Sequence, residues 1–173
     1  MDARWERLFA DLEGQLDEAF EEGEIPDLVE AELVSVRLVD RLALCVGQRL
    51  DVTTRSGRRL GGILHEATPG WLALGAGDGL LVIPMVAVAT MGPLAGSAPR
   101  AATPAATPSF GSLLRTLARA GLPILVEAGT SQVRGHLTAV GADHFDVRTE
   151  ADAVVSVPFA AVEVVRSRQD AVV

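Results

Sequence analysis

The first residues of the chain place Trp5, Leu8, Phe9, Leu12, Leu16 and Phe20 at steps of three and four. That spacing predicts an amphipathic helix with one apolar face, and acidic residues fill the other face. Gly23 and Pro26 end it, and Asp27 with Glu30 forms a capping-box pattern that opens a second helix. Leu28, Ala31, Leu33, Val34, Leu38, Leu42 and Val46 carry that helix to Gly47. There the period changes from about 3.6 to 2. Leu50, Val52 and Thr54 alternate with Asp51, Thr53 and Arg55, and Ser56-Gly57 marks a tight turn into a second strand over 58–66. A turn at Pro69-Gly70 leads to Trp71–Leu74, and a turn at Gly75–Gly79 leads to the apolar run Leu80–Ile83. Strands of this length and spacing predict a small barrel. Residues 93–108 are rich in Ala, Pro, Gly, Thr and Ser and read as a linker. Ser109 is placed to cap a short helix bearing Leu113, Leu114 and Leu117 and ending at Gly121.

After Gly121 the strand pattern returns as a repeat. At an offset of 74 residues, Gly47 falls on Gly121, Leu50 on Ile124, Val52 on Val126, Gly61 on Gly135 and Ile63 on Leu137. The same offset carries Trp71 onto Phe145, Asp78 onto Asp152, Ile83 onto Val157, Pro84 onto Pro158 and Val88 onto Val162. The run needs no gap, which predicts hairpin loops of matching length in the two units.

Each unit, a helix followed by about five strongly bent strands, resembles the Sm-like family of SH3-type small barrels. The resemblance rests on Gly47, Leu50, Val52, Thr54, Gly57, Gly61, Trp71, Leu74, Ile83 and Val88, and in the second unit on the skeleton from Gly121 through Gly135 to Val162, with Thr130-Ser131 replacing the Ser56-Gly57 turn. It implies a mainly β fold with N-terminal α-helices and two tandem Sm-like barrels, each preceded by a helix. The expected parts are a helical hairpin (1–46), a first barrel (47–92), the linker (93–108), a short helix with the second barrel (109–168), and a tail (169–173). Sm-like RNA binders hold bases with an Asp-x-x-Met-Asn type segment and a cationic segment between the last two strands. The segments in those places here are Thr68–Leu72 and Ala142–Asp146, then Ile83–Met85 and Val157–Phe159, and they lack both the base-binding Asn and the cation. The resemblance therefore points to the fold and away from the family's usual RNA function. It also implies pairing through edge strands, either between the two units or into a larger assembly.

Composition narrows the picture. The 173 residues carry a net charge of −8, and all 15 positive residues are arginine, with no Lys, Asn or Tyr anywhere. Those three types share AT-rich codons, so the bias resembles that of chains from GC-rich, actinobacterial-type genomes. The acidity is uneven: residues 1–46 hold 13 acids and four arginines, whereas 93–121 hold three arginines and no acid. A protein that coats nucleic acid by bulk charge is therefore not expected. Cys45 is the single cysteine, flanked by Leu44 and Val46, which reads as a buried small hydrophobe in a reducing, cytoplasmic setting. The uncharged stretch from Gly79 to Pro99 is interrupted by Pro84, Gly92, Pro93 and Gly96 and is not expected to span a membrane. No basic, apolar leader is evident at the start.

Candidate chemistry is sparse. No nucleophile elbow, phosphate loop, dinucleotide fingerprint or paired-histidine zinc pattern occurs, so neither enzyme activity, a metal nor a cofactor is expected. His144 between Asp143 and Asp146 fits a polar turn better than a metal or general-base site. Arg55, Arg58 and Arg59 surround the first hairpin tip and, with Arg100, Arg115 and Arg119, form a candidate phosphate-contacting set, against the plainer account of a solvated tip. The stripe of Trp5, Leu8, Phe9, Leu12, Leu16 and Phe20 must be buried, either on the chain's own strands or on a protein partner or second copy. The expected function is a non-enzymatic protein-interaction or regulatory module, the alternative a nucleic-acid-binding regulator.

Overall fold

Alternating strand patterns and a capped helix translate into an almost entirely antiparallel β structure. The computed structural model describes residues 36–77, 79–94 and 108–168; the stripe from Trp5 to Phe20 and Arg100 lie outside them. A short helix α1 (Leu38–Ala43) precedes β1 (Arg49–Thr54), β2 (Arg59–Ala67), β3 (Trp71–Ala76), β4 (Gly79–Pro84) and β5 (Val88–Gly92). Helix α2 (Phe110–Ala120) then precedes β6 (Pro123–Ala128), β7 (Ser131–Val140), β8 (His144–Thr149), β9 (Val154–Pro158) and β10 (Val162–Arg168). The Ser109 hydroxyl accepts a hydrogen bond from the Ser112 N–H at 3.1 Å, and left-handed Gly121 closes the other end of α2.

The strands do not close into two barrels. They form one open ten-stranded sheet in the order β5-β1-β2-β3-β4-β10-β6-β7-β8-β9. The expectation of two tandem closed barrels, each preceded by a helix, is therefore corrected. The reason lies in β4, whose outer edge pairs with β10 from the far end of the chain, Val82 opposite Val165 and Leu81 opposite Arg166. That pairing joins the two halves and leaves β5 and β9 as the outer edges.

Each half nevertheless repeats the same pairings, and these set a register that differs from the ungapped one. Leu50 faces Gly62 as Ile124 faces Gly135, and Leu72 faces Ile83 as Phe145 faces Val157. Gly135 thus corresponds to Gly62, Phe145 to Leu72 and His144 to Trp71. The offset is 74 over the first strand of each half, 73 over the second and third, and 74 again over the last two. Loop lengths account for this: the β6–β7 hairpin is one residue shorter than β1–β2, and the β8–β9 turn one residue longer than β3–β4. Sterics confirm the glycines, because a Cβ on Gly62 would collide with the Gly75 carbonyl oxygen and one on Gly135 with that of Arg148, which is the equivalent carbonyl.

Two hydrophobic cores lie on opposite faces of the central strands. Cross-strand neighbours Ala73, Val82, Val165 and Val126 share one face and pack with Leu114 and Leu117 of α2, Phe145 and Trp71. Leu72, Ile83 and Val164 face the other way, into the core containing Leu42, Leu50, Leu64 and Leu74. Burial on both faces explains why β3 reads buried at four successive residues from Trp71 to Leu74. Cys45 is buried there, with its thiol directed at the Arg41 carbonyl oxygen. Among the described residues no helix is long and apolar enough to cross a membrane.

Candidate functional site

A buried carboxylate, Glu127, lies at the seam between the halves. Glu127 sits in β6 within the run Pro-Ile-Leu-Val-Glu-Ala and is 2 % exposed. Strand alternation turns Ile124 and Val126 into the core under α2 and sends the Glu127 side chain to the opposite face. There it receives Arg166 of neighbouring β10, whose Nε donates at 2.7 Å, and Arg58, which reaches across from the β1–β2 hairpin of the other half. A carboxylate this deeply buried is tolerable only with such partners. Next to it, Glu163 of β10 accepts hydrogen bonds from the hydroxyls of Thr54 and Ser56, both at that same hairpin. On the other face, the Trp71 indole N–H donates to the Pro108 carbonyl oxygen at 2.9 Å, tying β3 to the start of α2.

Of the arginines picked out by sequence, the described ones, Arg55, Arg58, Arg59, Arg115 and Arg119, are not gathered on one surface. Arg58 is held by Glu127. Arg55 and Arg59 are exposed beside it. Arg115 donates to the Gly141 carbonyl oxygen at 3.3 Å, and Arg119 is exposed at the last turn of α2, which packs on the opposite face of β6 from Glu127. The structure therefore assigns the hairpin a job that sequence reasoning missed, which is to clamp the second half. Its signal was a single carboxylate, Glu127, in an otherwise apolar strand.

No protein-family model and no curated protein matches this chain.

Titratable groups give little further chemistry. His144 Nδ1 lies 2.8 Å from Asp143 on the surface. That hydrogen bond raises the His144 pKa above the ordinary histidine value and lowers that of Asp143. Among the described residues no group of three His, Cys, Asp or Glu side chains could hold a metal ion.

Among the described residues, the two outer strand edges are a further distinctive surface. β5 reads Val-Ala-Thr-Met-Gly and β9 reads Val-Val-Ser-Val-Pro, and neither carries a charge. Charged residues are a common means of keeping an edge strand from pairing with another chain. Val154 at the start of β9 is 52 % exposed, and Ala89, Thr90 and Ser156 are exposed as well. Against β5 lies an open cleft floored by Arg49, Asp51, Arg59, Gly61 and Gly92. A cleft of about 310 Å³ occupies the corresponding place beside β10, but there Gly79, Leu80 and Leu81 of β4 provide an additional wall.

Proposed function

We propose that this chain is a non-enzymatic protein-interaction module that works through the edge strands β5 and β9, with a regulatory role following from what docks there. The observation that carries this reading is a pair of uncharged, exposed edge strands at the two ends of one sheet, each offering a row of backbone donors and acceptors to an incoming extended segment. The repeated strand pairings of the two halves support kinship with the Sm-like family. A cytoplasmic setting agrees with the single buried cysteine.

The experiment is site-specific photo-crosslinking in cells, with a photoreactive residue at Thr90 or Ser156 and a control at Val86, which is exposed but lies on the turn between strands. Protein adducts at the two edges and not at Val86 are expected; adducts equal at all three sites, or none, overturn the proposal. The second reading, nucleic-acid binding, draws on the exposed Arg55 and Arg59. It requires a salt-dependent mobility shift with RNA or DNA that is lost in Arg55→Glu and Arg59→Glu.

A further inference from the structure

We infer that the cleft beside β10 binds a small amphipathic organic anion, with a carboxylate or phosphate-monoester head between Arg134 and Arg166 and an apolar body on Leu80, Leu81 and Leu125. The cleft lies in the middle of the strand order, away from the edges β5 and β9, so this goes beyond the edge-docking reading and does not depend on it. Strand register builds the cation pair. Leu125 of β6 is opposite Arg134 of β7 on one side and Arg166 of β10 on the other, and Arg166 is in turn opposite Leu81 of β4. Directly opposed residues share a face of the sheet, so both guanidinium groups rise from one face with a leucine between them. Their strands are two steps apart, about 10 Å, a gap that two long arginine side chains can close on one anion.

Both cations have capacity left for a ligand. Arg166 donates to Glu127 through Nε, and among the described residues its two terminal nitrogens make no hydrogen bond. Glu127 is shared with Arg58, so one carboxylate answers two guanidinium charges. Arg134 is exposed and has no ion pair or side-chain hydrogen bond among the described residues. The other acid of β10, Glu163, is engaged by the hydroxyls of Thr54 and Ser56. Among the described residues the cleft of about 310 Å³ is thus lined by two arginines and no acid, with Leu80, Leu81, Leu125 and Pro123 as its apolar wall. That volume is at the small end for ligand pockets. Guanidinium groups set against leucine favour an oxyanion that carries its own apolar body, because excluding water strengthens each charge-assisted hydrogen bond.

The duplicate cleft beside β5 supplies an internal control. Asp51, Gly61 and Gly92 stand there in the places of Leu125, Arg134 and Arg166, with the same cross-strand pairings. An acid replaces the leucine, and glycines replace both arginines. Arg49 and Arg59 do line that cleft, but Arg49 is paired with Asp51 at 3.3 Å, and no counterpart of Leu80 and Leu81 closes it. The same backbone therefore offers an anion site at the seam and none at the free edge. An anion held there touches β4 of one half and β6, β7 and β10 of the other, so its binding stabilises the joint between them.

The test is an NMR titration of the full-length, isotope-labelled chain with four probes: hexanoate, hexyl phosphate, inorganic phosphate and hexanol. At least one of the two hexyl anions should shift the amides of Leu80, Leu81, Leu125 and Arg134 saturably while leaving those of Asp51, Gly61 and Gly92 in place, and the tighter of the two identifies the head group. Hexanol and inorganic phosphate should each bind at least about tenfold more weakly. Arg134→Ala should weaken the preferred anion by at least about tenfold, and Arg134→Lys should recover part of that loss. The preferred anion should also raise the melting temperature of the wild type and not that of Arg134→Ala. Absence of saturable shifts with both hexyl anions overturns the inference. So does equal binding of hexanol, which marks a merely apolar groove, equal binding of inorganic phosphate, which marks an adventitious ion only, or binding unchanged in Arg134→Ala. The comparison of probes on the wild type stands whatever the variants do to stability. Crosslinking at Thr90 and Ser156 reads a different surface, so an empty cleft leaves the edge-docking function standing.

Discussion

At the seam, Arg58 and Arg166 converge on buried Glu127, and Glu163 collects two hydroxyls from the facing hairpin. At the free edge of β5, the backbone plan is the same, yet Thr53, Gly92 and Ala89 stand in the places of Glu127, Arg166 and Glu163, and at the hairpin of the second half Ser131 stands in the place of Arg58. Two fourth strands and two fifth strands could pair in more than one order, and backbone hydrogen bonds do not discriminate among those orders. Buried charge does, because a wrong pairing would leave the Glu127 carboxylate without Arg58, the guanidinium partner that comes from the other half, at a cost of about 1–2 kcal/mol. The contrast teaches that side-chain electrostatics specify which strands meet within the chain, while the outer edges are left generic.

The largest effect expected concerns the other side of the seam. Trp71 belongs to the first half but is buried in the core under α2, so Trp71→Ala should cost about 3–5 kcal/mol in chemical denaturation. His144 occupies the equivalent place in the second half and is exposed, so His144→Ala should stay within about 0.5 kcal/mol. Equal losses would break the assignment of Trp71 to the joint between halves.

Next comes the clamp. Arg58 is 42 % exposed, so part of its attraction to Glu127 is screened, and Arg58→Ala should cost about 1–2 kcal/mol. Ser131→Ala, its counterpart at the hairpin of the second half, should be nearly neutral under the same measurement. A smaller loss, below about 1 kcal/mol, is expected for Glu163→Gln, which keeps an acceptor for Thr54 and Ser56 but removes its charge. Ala89→Glu at the equivalent bulge of β5 should not raise stability, since no clamp faces it within one copy.

The smallest effect is pH-dependent and belongs to the second half alone. The hydrogen bond to Asp143 raises the His144 pKa, so its stabilisation is present below the unfolded histidine value of about 6.5 and is lost as pH rises through the folded value. Asp143 is shifted down, so its share is present above the unfolded aspartate value and is lost as pH falls through its own folded value. An NMR titration should place His144 above the ordinary histidine value, and Asp143→Asn should lower it.

Much of the strand content was legible because half-exposed strands alternate: Leu50, Val52 and Thr54 are buried between exposed or partly exposed neighbours, as their period of two requires. The cap at Ser109 and the stop at Gly121 were legible for local reasons, a hydroxyl placed to accept an N–H and a glycine able to turn left-handed. The closing of strands into a sheet was not. Leu80–Ile83 reads as an uninterrupted apolar run, which says that both faces are covered without saying by what, and the neighbour proved to be β10 from the far end of the chain. The register of the repeat was obscured by the adjacent glycines Gly61 and Gly62 and the adjacent large residues Trp71 and Leu72. Only cross-strand partners decide which of each pair aligns with Gly135 and Phe145. Glu127 stands in the sequence as a lone carboxylate in an apolar strand, but its meaning depends on Arg58, which belongs to the other half.

The account turns on the pairing of β4 with β10, and cross-strand NMR contacts between Val82 and Val165 test it most directly. In a dilute sample of isotope-labelled protein mixed with excess unlabelled protein, these contacts should persist at full strength together with slow amide exchange on both strands, because the pairing lies within one chain. Loss of the contacts on dilution into unlabelled protein, or rapid exchange along β4, would contradict the single sheet and with it the seam between its two halves.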